Sequence, residues 1–381
     1  MHDNAIFAAI QHNNARYLDF LCRLCAFEAR AYDKQTLDRM ADYITEFAEA
    51  EGFQVFRTPF EACGDFLTID LNPGAPKCCV LMAHMDTVHE KGTFGTPPVQ
   101  VLEDRIIAPG AIDCKGGIAV ALLAMKALLD QGYPNHVRLI LTSDEEISNT
   151  LGGVQELQFF RDSTQGFPCA INCETTENDE VVVSRKGIIK YQLEIKGVGG
   201  HSGIHYFECK NAILEAAHKI VALHSRSTPG GITYSCNIIG GGTVGNIIPE
   251  FCSVLVDVRV VTHEDVQKAE QTLREIAETS FISGTSTELI RKSIRPPMER
   301  TEETMALFRT LLEVTQQNGL GSLTPVGSGG GSDSCYTQAA GIPSICGMGP
   351  SGEFCHTTSE YVKKDTVALR AKILAAFCCR S

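Results

Sequence analysis

Residues 80–90 read VLMAHMDTVHE, an apolar run that ends in a group of polar side chains. The first four residues predict a buried strand, because a short continuous apolar run is typical of a strand covered on both faces of a sheet. Directly after the run come His84, Asp86 and His89. Imidazole and carboxylate groups are common metal ligands. The end of this strand is therefore a candidate metal site, if the rest of the chain supplies partners.

The segments around this strand predict an α/β domain. Residues 53–58, 66–71 and 137–142 read as strands, whereas 116–131 is rich in Ala, Leu and Met and predicts a helix. Helical periodicity also runs over residues 15–51. Strands that alternate with long helices are typical of a mostly parallel sheet.

The pattern changes after about Arg185. Between residues 186 and 294 the predicted order is strand, helix, strand, strand, helix, strand, which is the ferredoxin-like βαββαβ pattern. The strands in this region alternate apolar and polar residues, as expected of a sheet with one solvated face. We therefore predict one α/β domain, formed by residues 1–185 and 295–381, interrupted by an α+β domain at 186–294.

Composition narrows the class of function. The chain has 381 residues and a formal net charge of −13, which argues against a basic nucleic-acid-binding surface. No apolar run is long enough to span a bilayer, so we expect no membrane partner. The first residues lack the pattern of a secretory signal. The 16 cysteines are dispersed among apolar segments, which favours reduced thiols and a cytoplasmic location.

Further candidate ligands follow the other predicted strands or precede the predicted helix. They are Asp113, Glu145, Glu146, Glu174 and His356. Sites in open parallel sheets form at the carboxyl ends of the strands, so these side chains could meet at one rim. Carboxylates gathered there without cations would repel one another. Two divalent metals about 3.5–4 Å apart, sharing a bridging carboxylate, would remove that repulsion.

At this point the sequence resembles a known family, the M20-type two-zinc metallopeptidases and deacylases. The resemblance is closest to glutamate carboxypeptidase and peptidase T, and it covers nearly the whole chain. The matching segments are HMDTV, GAIDCKGGIA, TSDEE, INCETT, GVGGHSG, GGTVGNIIPE, VDVR, GGGSDS and FCHTTSEYV. The resemblance implies a zinc-aminopeptidase-like catalytic domain, whose inserted domain serves as a lid and as a dimerisation domain. A homodimer is therefore expected.

The resemblance also implies the metal ligands. His84 and Glu174 would bind one metal ion, Glu146 and His356 would bind the other, and Asp113 would bridge them. The ions would be zinc, with cobalt or manganese as alternatives.

Three further residues would act in catalysis. Glu145 would be the general base for a metal-bound water. Asp86 would accept a hydrogen bond from the far nitrogen of His84 and so fix its tautomer. His201, in the GVGGHSG segment, would stabilise the oxyanion from the partner subunit.

Three residues match positions that hold the substrate carboxylate in glutamate carboxypeptidases. Asn246 and Arg259 lie in the inserted region, and Arg295 lies just after it. The expected reaction is hydrolysis of an amide bond in a short peptide or N-acyl amino acid with a free carboxylate. One alternative is an N-acyl-amino-acid deacylase related to acetylornithine deacetylase or the desuccinylases. Another is a catalytically inactive binding protein on the same fold.

Several residues leave alternatives open. Glu177 is a second candidate for the position assigned to Glu174. Gly329–Gly331 could bring backbone N–H groups to an anionic substrate group, or could form a flexible turn. Asp333 could cap a helix or belong to the site. For His89, the spacing favours a place on a surface loop.

Overall fold

The computed structural model describes residues 3–176 and 179–380. The chain divides into two compact units. The first comprises Met1–Ser184, Arg300–Ser328 and Ser332–Ser381, and the second comprises Arg185–Glu299 and Gly329–Gly331. In sequence, the second unit is thus inserted into the first.

The elements before the insertion follow in chain order. They are α1 (Asp3–Cys25), α2 (Lys34–Ala50), β1 (Gln54–Thr58), β2 (Phe66–Leu71), β3 (Lys77–His84), β4 (Gln100–Val101), β5 (Arg105–Ile107), α3 (Lys115–Asp130), β6 (His136–Thr142), a 3₁₀ turn (Glu145–Ile147), α4 (Gly153–Thr164), β7 (Ala170–Asn172) and β8 (Glu180–Arg185).

The elements of the insertion are β9 (Gly187–Lys196), β10 (Gly200–His201), α5 (Ala212–His224), β11 (Thr233–Gly241), β12 (Ile247–Ile248), β13 (Phe251–Val260), α6 (His263–Glu278) and β14 (Ser286–Arg295). After it come α7 (Glu302–Gln317), β15 (Thr324–Ser328), α8 (Ser334–Ala339), β16 (Ser344–Ile345), β17 (Gly352–Glu353), β18 (Tyr361–Lys363) and α9 (Lys364–Arg380).

The first unit is built on a six-stranded sheet with the order β1-β2-β6-β3-β7-β16. The strands β6, β3, β7 and β16 run parallel, and β1 and β2 add an antiparallel edge. In β3 every residue except Lys77 is buried, as its continuous apolar run requires. Helix α3 is buried at 13 positions and contacts α1, α9 and the sheet. The predicted, mostly parallel central sheet is confirmed.

The helical periodicity over residues 15–51 belongs to two helices rather than one. The chain leaves helix α1 at Cys25 and re-enters a helix at Lys34. The carboxylate of Asp33 accepts a hydrogen bond from the Thr36 N–H and so caps α2. The periodicity alone did not reveal the break, because apolar residues continue through it.

The second unit has a four-stranded antiparallel sheet with the order β11-β13-β9-β14. Along β9 and β13 buried residues alternate with partly exposed ones. Helices α5 and α6 pack on the buried face, where Leu193, Val256 and Leu273 belong to one apolar core. The predicted βαββαβ order is confirmed.

None of the helices in residues 3–176 and 179–380 combines the length and apolar character needed to cross a membrane.

Candidate metal centre

Three neighbouring parallel strands of the first unit carry candidate ligands at their carboxyl ends. His84 is the last residue of β3, Glu146 lies in the 3₁₀ turn that follows β6, and Glu174 lies two residues after β7. In the sheet β3 lies between β6 and β7, so the three ends share one edge. Glu177, the predicted alternative to Glu174, lies outside the described residues.

Two loops bring the remaining candidates to the same place. Asp113 precedes the first residue of α3, and its peptide bond to Cys114 is cis. His356 lies between β17 and β18 with φ of 64°, a left-handed conformation that costs a non-glycine residue about 1 kcal/mol or more. Phe354, two residues earlier, has the same φ.

The carboxylate of Asp113 lies between the two imidazole rings. Its Oδ1 is 3.0 Å from Nε2 of His84, and its Oδ2 is 3.1 Å from Nε2 of His356. Nε2 of His84 is also 3.4 Å from Oε1 of Glu174, and Nε2 of His356 is 3.5 Å from Oε2 of Glu146. The five side chains thus form two donor sets, each with one imidazole and one glutamate, that share one aspartate.

Protein groups compensate the charges of this cluster only in part. Burial raises the pKa of Asp113, but hydrogen bonds from His356 and His84 outweigh burial and lower it, whereas the two glutamates are not compensated in this way. Burial, and then the nearby charge of Asp113, raise the pKa of Glu146 to about 8. Burial and Asp113 also raise the pKa of Glu174. Among the described residues, Oε1 of Glu146 is buried and has no hydrogen-bond partner. Divalent cations would offset this repulsion and satisfy that oxygen, and nitrogen and carboxylate donors suit zinc. The residues therefore fit a metal centre.

Asp86 lies behind His84 and is completely buried. Nδ1 of His84 is 3.1 Å from the backbone carbonyl oxygen of Asp86 and 3.3 Å from its Oδ1. Its two carboxylate oxygens also accept the backbone N–H groups of Glu145 and Glu146, at 3.2 and 3.0 Å. Asp86 therefore orients the imidazole of His84 and holds the turn that carries both glutamates.

Glu145 lies in the same 3₁₀ turn and is buried. After burial and Asp113, its charge is a further cause of the raised pKa of both Glu146 and Glu174. These two glutamates belong to different donor sets. The negative charge of the Glu145 carboxylate therefore raises the pKa of one glutamate in each donor set.

The second unit holds the other predicted site residues. His201 is exposed in β10, and its Nδ1 accepts the N–H of Gly203 at 3.2 Å. In the neutral ring this arrangement leaves the proton on Nε2, which can then donate a hydrogen bond. Asn246 is exposed immediately before β12. Its backbone carbonyl oxygen accepts the N–H of Ser202.

The two arginines predicted to bind the substrate carboxylate already contact other groups of the protein. Arg259 donates from Nε to Asp257 at 2.7 Å and from Nη1 to the carbonyl of Gly329 at 3.4 Å. Arg295 is buried, and a Cβ added at Gly331 would lie 2.6 Å from its Cδ. Glycine at 331 therefore allows the loop backbone to approach this arginine closely.

The glycine-rich loop also contacts an arginine that sequence reasoning missed. Arg185 donates from Nη1 to the carbonyl of Gly331 at 3.0 Å. The carbonyl oxygens of Gly331 and Gly329 therefore accept hydrogen bonds from Arg185 and Arg259, respectively. Asp333, just after the loop, makes no side-chain hydrogen bond to the N-terminus of α8 and binds Thr142 and Asn149 instead.

The prediction of a surface loop for His89 is wrong. His89 is buried, and its Nε2 is 2.9 Å from Oε2 of Glu360. Sequence reasoning also missed Glu360 and Cys355, whose Sγ donates to Oδ2 of Asp113 at 2.8 Å. Their position within the FCHTTSEYV segment, beside His356, was the one available signal.

The parallel sheet, with imidazole and carboxylate donors gathered at one edge, fits a metal-dependent enzyme. Peptidase family M20/M25/M40 matches residues 80–380. The chain belongs to this family of metallopeptidases, whose members act on carbon–nitrogen bonds.

Individual known proteins are also similar to this chain, in sequence or in fold. Carboxypeptidase G2 of Pseudomonas sp. (strain RS-16) is 26% identical over 383 residues, which cover 98% of this chain and 91% of that protein. A succinyl-diaminopimelate desuccinylase of Xylella fastidiosa (strain 9a5c) is 29% identical over 215 residues, covering 52% of this chain and 56% of that protein. An M20 family metallo-carboxypeptidase from Sulfolobus solfataricus has the same fold, with a TM-score of 0.75, 17% identity and coverage of 95% and 98% of the two chains.

Proposed function

We propose that this hydrolase cleaves the amide bond of a short peptide that ends in a free carboxylate, at a centre of two metal ions. The observation that carries the proposal is the position of Asp113, each of whose oxygens faces a different imidazole. In this proposal His84 and Glu174 hold one ion, Glu146 and His356 hold the other, and Asp113 bridges them. The similarity to carboxypeptidase G2 supports a carboxypeptidase.

Glu145 is the proton carrier in this proposal. When bound, the metal ions lower the pKa of a water molecule and polarise the carbonyl that is attacked. Glu145 takes the proton of that water and later gives it to the leaving amine. Asp86 holds the surrounding turn through the backbone N–H groups of Glu145 and Glu146, so the backbone that carries the Glu145 side chain is fixed.

His201 is proposed as the donor to the oxyanion. Its Nε2 carries the ring proton when Nδ1 accepts from Gly203. A neutral imidazole N–H aimed at the developing negative charge would lower the barrier by about 2.7–4 kcal/mol, as other oxyanion donors do. In this proposal the histidine comes from the partner subunit of a homodimer.

Asn246, Arg259 and Arg295 are proposed to hold the substrate carboxylate. A guanidinium group matches a carboxylate in shape and charge. Asp257 binds Arg259 through both Nε and Nη2, at 2.7 and 3.2 Å, so it orients the guanidinium group, and a substrate carboxylate would use the remaining N–H groups. Arg259→Lys would keep the charge but lose the fork, and we expect KM to rise by about tenfold or more, with kcat changed less. An unchanged KM would exclude Arg259 from carboxylate binding.

A substrate panel tests the reaction itself. Dipeptides should be cleaved to free amino acids, and blocking the C-terminal carboxylate as an amide should abolish turnover. The desuccinylase relative supports the second candidate, a deacylase. Release of succinate or acetate at a higher kcat/KM than any peptide product would favour that candidate and overturn the first.

The native metal is proposed to be zinc, with cobalt or manganese as alternatives. Elemental analysis of the protein purified without chelators identifies it. The 16 free cysteines support a reducing compartment, and a cytoplasmic location is proposed on that ground.

The second unit has an apolar surface that supports the proposed homodimer. Strand β11 is an edge strand of the sheet, and its residues Ile238 and Ile239 are 63% and 53% exposed. Phe251, which begins β13, is 42% exposed. An exposed apolar edge strand is a template for pairing with another chain, and a second copy of this chain would cover it.

A further inference from the structure

We propose that Glu360 is a positioning residue that sets the geometry of the metal centre, together with His89. The inference rests on the metal centre proposed above and extends it to two residues that bind no metal. Glu360 is 1% exposed and His89 is 7% exposed. Neither is within reach of solvent, so a purely solubilising role is excluded.

The carboxylate of Glu360 is surrounded by donors. Its Oε1 accepts the backbone N–H groups of Ile112 and Asp113, at 2.9 and 3.2 Å. Its Oε2 accepts the N–H of Gly110 at 3.2 Å and lies 2.9 Å from Nε2 of His89. Three backbone donors from one loop, at Gly110, Ile112 and Asp113, thus converge on a single side chain, and the last belongs to the proposed bridging ligand itself.

These contacts join three separate parts of the chain that carry ligands. His89 lies five residues after His84, the 110–113 loop carries Asp113, and Glu360 lies four residues after His356. The backbone of Glu360 adds a further link, because its carbonyl accepts the N–H of Ala108. A single carboxylate therefore fixes the relative positions of both imidazole ligands and of the aspartate between them.

The partner His89 is itself held in place. Its backbone N–H donates to Oγ1 of Thr87 at 3.0 Å, and its ring packs edge-on against Phe94 at 4.8 Å. A carboxylate oxygen accepts hydrogen bonds, so Nε2 of His89 is the donor in this pair. The ring therefore acts as a fixed donor that keeps Glu360 from rotating out of the loop.

Metal binding by the apo-protein distinguishes positioning from general stabilisation. The metal-free chain is titrated with Co²⁺, and affinity and the visible absorption spectrum are recorded. Glu360→Ala removes all four contacts, and we expect affinity to fall by about 10–100-fold, as for other groups that orient ligands, with a changed spectrum. Glu360→Gln keeps an oxygen for Ile112 and Asp113, so most of the affinity should return.

Glu215 offers a matched control. It is a buried carboxylate of the second unit that also accepts backbone N–H groups, from Phe281 and Ile282. Glu215→Gln should lower the melting temperature without changing Co²⁺ affinity or spectrum. If Glu360→Ala binds Co²⁺ within twofold of the wild type, the inference is overturned.

A second variant covers the case in which Glu360→Ala does not fold. His89→Phe keeps the ring packing and removes only the donor to Oε2, and a loss of affinity of about threefold or more is expected. Wild-type affinity in this variant would count against the inference. Failure of the wild type to bind Co²⁺ would instead contradict the proposed metal centre, so the two failures are distinguishable.

Discussion

The chemistry of this protein depends on the charged side chains that lie close together in the candidate metal centre. The carboxylate of Asp113 faces two imidazoles. Glu146 and Glu174 lie close enough for the charge of Asp113 to raise their pKa values. An arrangement of this kind is unfavourable without cations. Oε1 of Glu146 is buried and has no hydrogen-bond partner in the part of the chain that the structure describes, which points to the same conclusion.

The role of Glu145 can be separated from metal binding. Glu145→Gln preserves the shape of the side chain but cannot accept a proton from water. We expect kcat to fall by about 10²–10⁴-fold, the usual contribution of a general base, while metal content stays at the wild-type value. Turnover and elemental analysis on the same preparation check this. Wild-type kcat with full metal would contradict the assignment of Glu145 as the base.

At the scale of residues, the sequence predicted which candidate ligands lie close together. It did not reveal the residues that hold those side chains in place. His84, Asp113 and Glu146 stand out because each follows an apolar strand or precedes a strong helix. Glu360 and His89 are 271 positions apart, and no local pattern links them. A buried pair of this kind depends on tertiary packing, which periodicity does not encode. The arginine contacts to the 329–331 loop were hidden for the same reason.

At the scale of elements, the order of strands creates the site. The parallel neighbours β6, β3 and β7 end at one edge, and the loops that follow them carry three of the ligand candidates. Alternating strands and helices in the sequence were sufficient to predict this edge. The break between α1 and α2 was not predicted, because its cause is one capping residue, Asp33, within an otherwise helical pattern.

One ion-pair network ties α2 to β1 and makes stability depend on pH. Asp65 accepts hydrogen bonds from Lys34 and Arg57, both at 2.7 Å. Burial alone would raise the pKa of Asp65, but these two cations outweigh it and the pKa is lowered. The ionised carboxylate therefore stabilises the fold above the unfolded pKa of about 3.9, and this contribution is lost as pH falls through the lower folded pKa.

We therefore expect Asp65→Asn to lower the free energy of unfolding by about 1 kcal/mol at pH 7, a value set by partial exposure of the network. The difference from the wild type should shrink as pH falls below about 3.9, because the carboxylate becomes protonated first in the unfolded chain and then, at its lowered pKa, in the folded protein. Denaturant unfolding at pH 7 and pH 3 measures this. Asp104→Asn, at an exposed pair with Arg105, is the control and should change little. An equal loss at both pH values would show that charge is not the cause.

At the scale of the whole molecule, the chain is an α/β unit interrupted by an α+β unit. The sequence leads us to expect two such domains, because the predicted strands of the two regions have different periodicities. Buried parallel strands read as continuous apolar runs, whereas the strands of the insertion alternate. What the sequence could not predict was which surface of the insertion is left apolar, since exposure at β11 depends on its place at the sheet edge.

The proposed homodimer makes a prediction at this scale. Ile239→Asp places a charge on the exposed edge strand, and we expect it to convert a dimer into a monomer in sedimentation velocity experiments. Val154→Asp is the matched control, because Val154 is 84% exposed in the first unit, and it should remain dimeric. Loss of kcat together with dimerisation would support a site completed by the partner's histidine. A monomeric wild type would contradict the proposal.

The central claim is that five side chains hold two divalent cations and that Asp113 bridges them. The most direct test is the metal stoichiometry of the wild type and of Asp113→Asn, measured by zinc titration of the metal-free proteins, with circular dichroism to show that both are folded. The account predicts two zinc ions per wild-type chain and no more than one weakly bound ion in the variant. Two tightly bound ions in Asp113→Asn, or fewer than two in the wild type at saturation, would contradict it.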